Sequence, residues 1–119
     1  MTKYMAVFLG TPEARAASGW DQLDDAARKA KEREGIAAWT AWMHKHEVAV
    51  TELGSPLGKT LKVDKSGVSP TRNGLAAWVV VDAPSHEAAA KMFEGHPHFT
   101  IFPGESVEIM ECLPMPARE

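Results

Sequence analysis

The stretch from Leu75 to Val81 reads Leu-Ala-Ala-Trp-Val-Val-Val, seven residues without one polar side chain. Valine and tryptophan favour extended chain, so the run predicts a strand at the centre of a sheet. Successive strand residues point to opposite faces, so apolar side chains at every position need cover on both faces. Whatever fold the chain adopts must place something apolar above this strand and something apolar below it.

The segments on either side supply one of the two covers. Tyr4 to Leu9 is a short apolar run stopped by Gly10, a second buried strand. Thr11-Pro12-Glu13 carries the hydroxyl cap, proline and acid of a helix start, for a short turn of helix ending near Ser18-Gly19. Asp21 to Glu34 is polar and helix-favouring. Asp24 precedes Arg28 by four residues, as Asp25 precedes Lys29, the favourable order for helical ion pairs. Gly35 marks a kink or a break. Beyond it Ile36, Trp39 and Met43 make an apolar stripe fit to cover a sheet, with Trp42 one step round. Val48 to Leu53 predicts the next strand. Residues 59–70 predict an exposed hairpin turning at Asp64-Lys-Ser-Gly67. After the central strand, Ser85 caps a helix whose inner face is Ala89, Met92 and Phe93, stopped by Gly95 and Pro97. Phe99 to Phe102 predicts a short extended piece, and Ser106 to Cys112 a last strand.

The resulting order is β-α-β-(hairpin)-β-α-β, an α+β, ferredoxin-like arrangement with an antiparallel sheet. The length of 119 residues supports a single domain over 1–119. Two helices cover one sheet face only, and the simplest cover for Trp78 and its neighbours on the other is the sheet of a second subunit. A homodimer is therefore expected. The charged fraction of 24% and net charge of -3 belong to a globular chain and lack the basic face that nucleic acid needs. No apolar run approaches the ~20 residues that span a bilayer, so no membrane partner is expected. One cysteine, Cys112, fits a reducing compartment, and residues 1–4 lack a signal-peptide plan; both point to the cytoplasm. Cys112 itself is expected to pack in the last strand as a small apolar residue.

Several strings resemble the YCII-related family, which includes YciI-like and DGPF-domain proteins. They are Ala38-Trp-Thr-Ala-Trp-Met43, Gly54-Ser-Pro-Leu-Gly58, Trp78-Val-Val-Val81 followed by Ser85-His-Glu-Ala-Ala89, Pro97-His98, and Val107-Glu-Ile-Met110. Their order covers most of residues 1–113. The resemblance implies a dimeric α+β barrel in which two four-stranded sheets pack face to face. In one branch it also implies acid–base work by a His–Asp pair on small molecules. Here the stretch where that aspartate would stand reads His96-Pro97-His98-Phe99, with histidine in its place, and the Asp-Gly-Pro-Phe string of the other branch is replaced by Val68-Ser-Pro-Thr-Arg72.

Five histidines include two His-x-His pairs, His44/His46 and His96/His98. The first pair lies where a helix ends, a place that suits cationic side chains and spoils chelation, since a helix turns positions i and i+2 apart. His96 and His98 are the candidate acid–base groups, because imidazole titrates near neutral pH. Their alternative role is to satisfy backbone groups at a packed helix exit. Trp39, Trp42, Met43, Trp78 and Phe93 are candidates to line a ligand cavity between helix and sheet, and Arg72 to anchor a small anion. Asp82 and His86 are placed to pair across a strand-to-helix turn. Neither a metal nor a cofactor is expected: no Gly-x-Gly-x-x-Gly, phosphate-binding loop or Cys-x-x-Cys occurs. Two functions follow: a cofactor-independent isomerase or lyase acting on a small molecule, or a non-catalytic dimeric module that binds a small ligand or a partner protein.

Overall fold

The structure is a computed structural model and describes residues 1–116. Strands β1 (Thr2–Leu9), β2 (Val50–Pro56), β5 (Leu75–Ala83) and β6 (Ser106–Glu111) form one antiparallel sheet in the order β2-β5-β1-β6. Between β1 and β2 run α1 (Pro12–Ser18), a 3-10 turn (Trp20–Gln22) and α2 (Asp25–Lys45). Between β5 and β6 run α3 (His86–Lys91) and α4 (Pro97–Thr100). This is the ferredoxin-like order, with β3 (Thr60–Asp64) and β4 (Gly67–Thr71) inserted as a separate two-stranded hairpin. Among the described residues no helix is long and apolar enough to cross a membrane.

The helix starts follow from their caps. The Thr11 hydroxyl accepts from the Ala14 amide at 3.0 Å, the Asp24 carboxylate from Ala27 at 2.8 Å, and the Ser85 hydroxyl from Ala88 at 3.1 Å. Because Asp24 serves as cap, Arg28 pairs with Asp25 three residues back and not with Asp24 four back. Gly35 breaks nothing: α2 is continuous through it. The glycine is there for close approach, since a Cβ on it would stand 2.4 Å from Cε2 of Phe102.

Three further expectations are corrected. Phe99–Phe102 is not extended; α4 occupies Pro97–Thr100, started by proline at its first position and by His96, whose Nδ1 accepts from the His98 amide at 3.0 Å. The second strand begins two residues late, because a turn in which the Val50 amide donates to His46 O at 3.0 Å consumes Val48 and Ala49. Cys112 lies just past β6 and is exposed.

Alternation on β1 buries Tyr4, Ala6 and Phe8 on the helix side, opposite Val81, Val79 and Ala77 of β5. The opposite sheet face carries Met5, Val7, Trp78, Val80 and Met110, bordered by the ion pair Lys3–Asp82 at 3.8 Å. The central strand thus presents apolar side chains both ways, as its composition requires, and only the helix side is covered within one chain.

Edge strand β2 meets β5 irregularly, with register shifts between Val50 and Glu52 and between Glu52 and Ser55. At the second shift Gly54 has φ +65°, and a Cβ there would lie 1.8 Å from the Trp78 carbonyl oxygen. Gly54→Ala should therefore cost about 2 kcal/mol or more, combining left-handed strain with a backbone clash. Urea unfolding followed by tryptophan fluorescence checks this; an unchanged midpoint would show that the strand relaxes around the new methyl group.

Candidate functional site

A cleft of about 490 Å³ opens between α2 and the β2–β5 edge of the sheet. Its walls are Trp39, Trp42 and Met43 from α2, Phe8 from β1, Ala77, Trp78 and Val79 from β5, and Phe102 after α4. Ile36 and Leu53 stand at the mouth, where both remain exposed. The volume lies within the roughly 300–1,000 Å³ typical of small-molecule sites, and the walls are mostly apolar, with the rings of Phe8, Trp39, Trp42 and Phe102 among them. Among the described residues the polar side chains on the lining are Thr40, Ser55 and His98, with no lysine, arginine, aspartate or glutamate.

The two histidines of the His-Pro-His string have different surroundings. His96 is wholly buried. Its ring packs 4.5 Å from Trp39 at 90°, 5.0 Å from Phe8 and 5.1 Å from Trp42, between centroids. With Nδ1 accepting from the His98 amide, the neutral ring carries its proton on Nε2, which has no hydrogen-bond partner. The perpendicular rings of His96 and Trp39 have the geometry in which an N–H edge meets an aromatic face. Burial, then the nearby His98 and His46, push His96 down to about 4. It is not among the cleft residues.

His98 is buried but does line the cleft. Its Nε2 donates to the Leu9 carbonyl oxygen at 2.7 Å, at the end of β1, where the same oxygen accepts from the Glu105 amide at 2.9 Å. That bond sets the tautomer: the proton sits on Nε2, and Nδ1 keeps its lone pair. Gly104 makes room for the ring, since a Cβ there would lie 2.3 Å from Nε2 and 2.4 Å from Cε1. Desolvation lowers the His98 pKa, partly offset by the Leu9 hydrogen bond.

Of the residues singled out by sequence, Trp39, Trp42, Met43 and His98 come together on the cleft; Trp78 borders it along the strand while its side chain lies on the opposite sheet face beside Val7, Phe93 is not on the lining, and His96 stands behind the wall. Arg72 does not join them. It is exposed just past β4, on the hairpin. Asp82 pairs with Lys3, and His86 donates from Nε2 to Ile109 O at 2.7 Å while stacking on Tyr4, so the two do not meet. His44 faces Glu47 at 3.7 Å, and His46 packs on Trp42. No three His, Cys, Asp or Glu side chains are grouped to hold a metal among the described residues. Sequence reasoning missed Phe8, Phe102 and the Leu9 carbonyl. The first two were visible only as strand residues, and a backbone oxygen leaves no trace in a sequence.

A ferredoxin-like α+β chain with an aromatic cleft and one histidine on its wall is the class that fold and site define. No family model matches the chain, and no curated protein does. Among solved structures it is similar to 5-chloro-2-hydroxyhydroquinone dehydrochlorinase from Burkholderia phenoliruptrix AC1100, in complex with 2,5-dihydroxybenzoquinone. The TM-score is 0.50 at 12% identity, over 90% of this chain and 89% of that one. At that identity the likeness is one of fold.

His96 makes stability depend on pH. Its pKa falls from 6.5 in the unfolded chain to about 4 in the folded one. Between these values the unfolded state binds more protons, so stability declines as pH falls. From the cited shift, the loss on going from above pH 6.5 to about pH 4 is on the order of 3 kcal/mol. Urea midpoints across that window should fall with pH; a flat profile would contradict a neutral buried imidazole.

Proposed function

We propose that the cleft binds a small, uncharged, largely planar molecule and that His98 acts in it as a general base. The observation that carries this reading is the fixed tautomer: Nε2–H is committed to Leu9 O, which leaves Nδ1 as the proton acceptor of a ring that lines the cleft. Aromatic walls favour a ring compound, and the lack of cationic lining disfavours carboxylates and phosphates. The protein of similar fold whose complex holds 2,5-dihydroxybenzoquinone supports the small planar ring, though not the absence of charge, because hydroxyquinones are acidic.

The chemistry that one such base performs is proton abstraction from carbon or oxygen. The electron pair of the broken bond forms a new π bond. In an elimination a leaving group then departs with its own pair; in an isomerisation the imidazolium returns the proton at another carbon. The Leu9 carbonyl supports the imidazolium through a charge-assisted hydrogen bond. His96 is a positioning residue: its Nδ1 holds the His98 amide and its ring fills the space behind the cleft. The resemblance to the YCII-related family agrees with acid–base work, performed here by a histidine without the aspartate.

The test uses 2-tetralone, a neutral aromatic ketone with an acidic C–H, in deuterated water followed by NMR. The protein should accelerate exchange, with an acid limb whose midpoint lies below 6.5 because the His98 pKa is lowered. His98→Gln, which retains a donor for Leu9 O, should lose about 10²–10⁴-fold of the acceleration while still quenching tryptophan fluorescence on binding. Binding without exchange in the wild-type protein would make this a non-catalytic binding module. Neither binding nor exchange would end the proposal.

We further propose that the uncovered sheet face packs on that of a second copy. Met5, Val7, Trp78 and Val80 form a contiguous apolar surface there, of the kind that marks an interface. Light scattering should give twice the 13.0 kDa chain mass. Met5→Glu with Val80→Glu should reduce it to a monomer, and a wild-type monomer would overturn the packing.

A further inference from the structure

The β3–β4 hairpin is amphipathic. Register places Val63 opposite Val68 and Leu61 opposite Pro70, so these four share one face, while Thr60, Lys62, Ser69 and Thr71 occupy the other. The apolar face is uncovered: Leu61, Val63 and Val68 are 68%, 74% and 67% exposed. A lone two-stranded ribbon is marginal in water, and one that exposes a continuous apolar face needs a partner surface. The hairpin is also an outrigger. The chain extends 59 Å along its longest axis, with a radius of gyration of 16.6 Å against about 13.5 Å for a compact chain of this length.

Its base is tied to the rest of the fold. The Leu57 amide donates to Ala76 O at 2.8 Å, the Gly10 amide to Gly74 O at 2.9 Å, and the Leu75 amide to the Asn73 side chain at 2.9 Å. These bonds fix both legs of the arm to the sheet beside β2 and β5. Net charge favours a copy of this chain over a basic partner. Lys59, Lys62, Lys65 and Arg72 against Asp64 give the arm +3, whereas the whole chain carries -3, so the rest of the same chain carries -6. The apolar counterpart is the mouth of the cleft, where Ile36 and Leu53 are 62% and 71% exposed beside a site open to solvent.

We infer that the β3–β4 arm of one copy lies across the cleft mouth of a second copy, with Leu61, Val63 and Val68 against Ile36 and Leu53. The arm then closes from outside a cleft that one chain leaves open, so the complete site contains residues of two chains. This rests on the cleft being the site but not on any chemistry of His98.

The experiment is crosslinking between two marked chains in a Cys112→Ser background. One chain carries Val63→Cys and the other Ile36→Cys, both at exposed positions whose replacement disturbs no packing. Mixed and treated with a short bismaleimide, they should give a band at twice 13.0 kDa at least about tenfold stronger than either chain alone. An equal band from Val63→Cys alone would mean that arm pairs with arm and would overturn the inference. So would an intrachain crosslink in the double variant, or no mixed band. Because the readout is contact, its failure leaves proton exchange with 2-tetralone untouched, and a failure of exchange leaves the crosslink untouched.

Discussion

Phe8 is the side chain on which the layers of this protein converge. It ends the buried row of β1, and its ring meets Trp39 of α2 at 5.0 Å, Phe93 after α3 at 6.0 Å, and the two histidines at 5.0 and 5.3 Å. Sheet, long helix and the His-Pro-His turn are held in register by one ring. A large aromatic side chain contributes most where it is dry on all sides, and here that dryness also sets the properties of the imidazoles around it. The cleft is the continuation of the same aromatic layer toward the β2–β5 edge, where the layer runs out of residues to fill it.

Burying two imidazoles has a cost that the fold offsets unequally. His96 has one nitrogen satisfied and one without a partner, and is kept neutral by its surroundings. His98 has its donor satisfied by a backbone carbonyl, and its other nitrogen has no hydrogen-bond partner among the described residues. An unpaired buried donor is unfavourable by about 1–3 kcal/mol, so His96 is a place where stability is given up. What it secures is the start of α4 and the amide of His98. Polar groups kept in a core despite such a cost are where positioning for function is expected.

The second recurrent constraint is incomplete cover. The central strand faces two ways, the helices cover one of them, and the hairpin turns an apolar face to water. All three facts follow from patterning: the unbroken apolar run of Leu75–Val81, and alternation in Leu61, Lys62, Val63 and Asp64. A chain patterned in this way leaves apolar surfaces that its own helices do not cover. The edge strand β2, with its two register shifts, joins these themes, since it borders the cleft and carries the arm.

Strands, caps and the order of elements were legible because they are local: a Ser or Thr before a helix, a glycine after a strand and period-two alternation act over a few residues. The helix stripe of Trp39 and Met43 was legible for the same reason. What patterning misjudged depended on distant partners. Gly35 looks like a break, yet it admits the ring of Phe102, 67 residues away in the chain. Phe99–Phe102 looks extended, because histidine is an unusual cap and only burial holds His96 in that role. Arg72 looks like an anion anchor but sits exposed on the hairpin, off the cleft lining. The same limit applies to the two histidines. Sequence offers them as equals two positions apart, and nothing local separates them. Only the packed structure, by setting Leu9 O against one ring and an aromatic wall against the other, makes one imidazole a cleft-lining acceptor and the other its support. Tautomer and pKa are properties of surroundings assembled from distant parts of the chain.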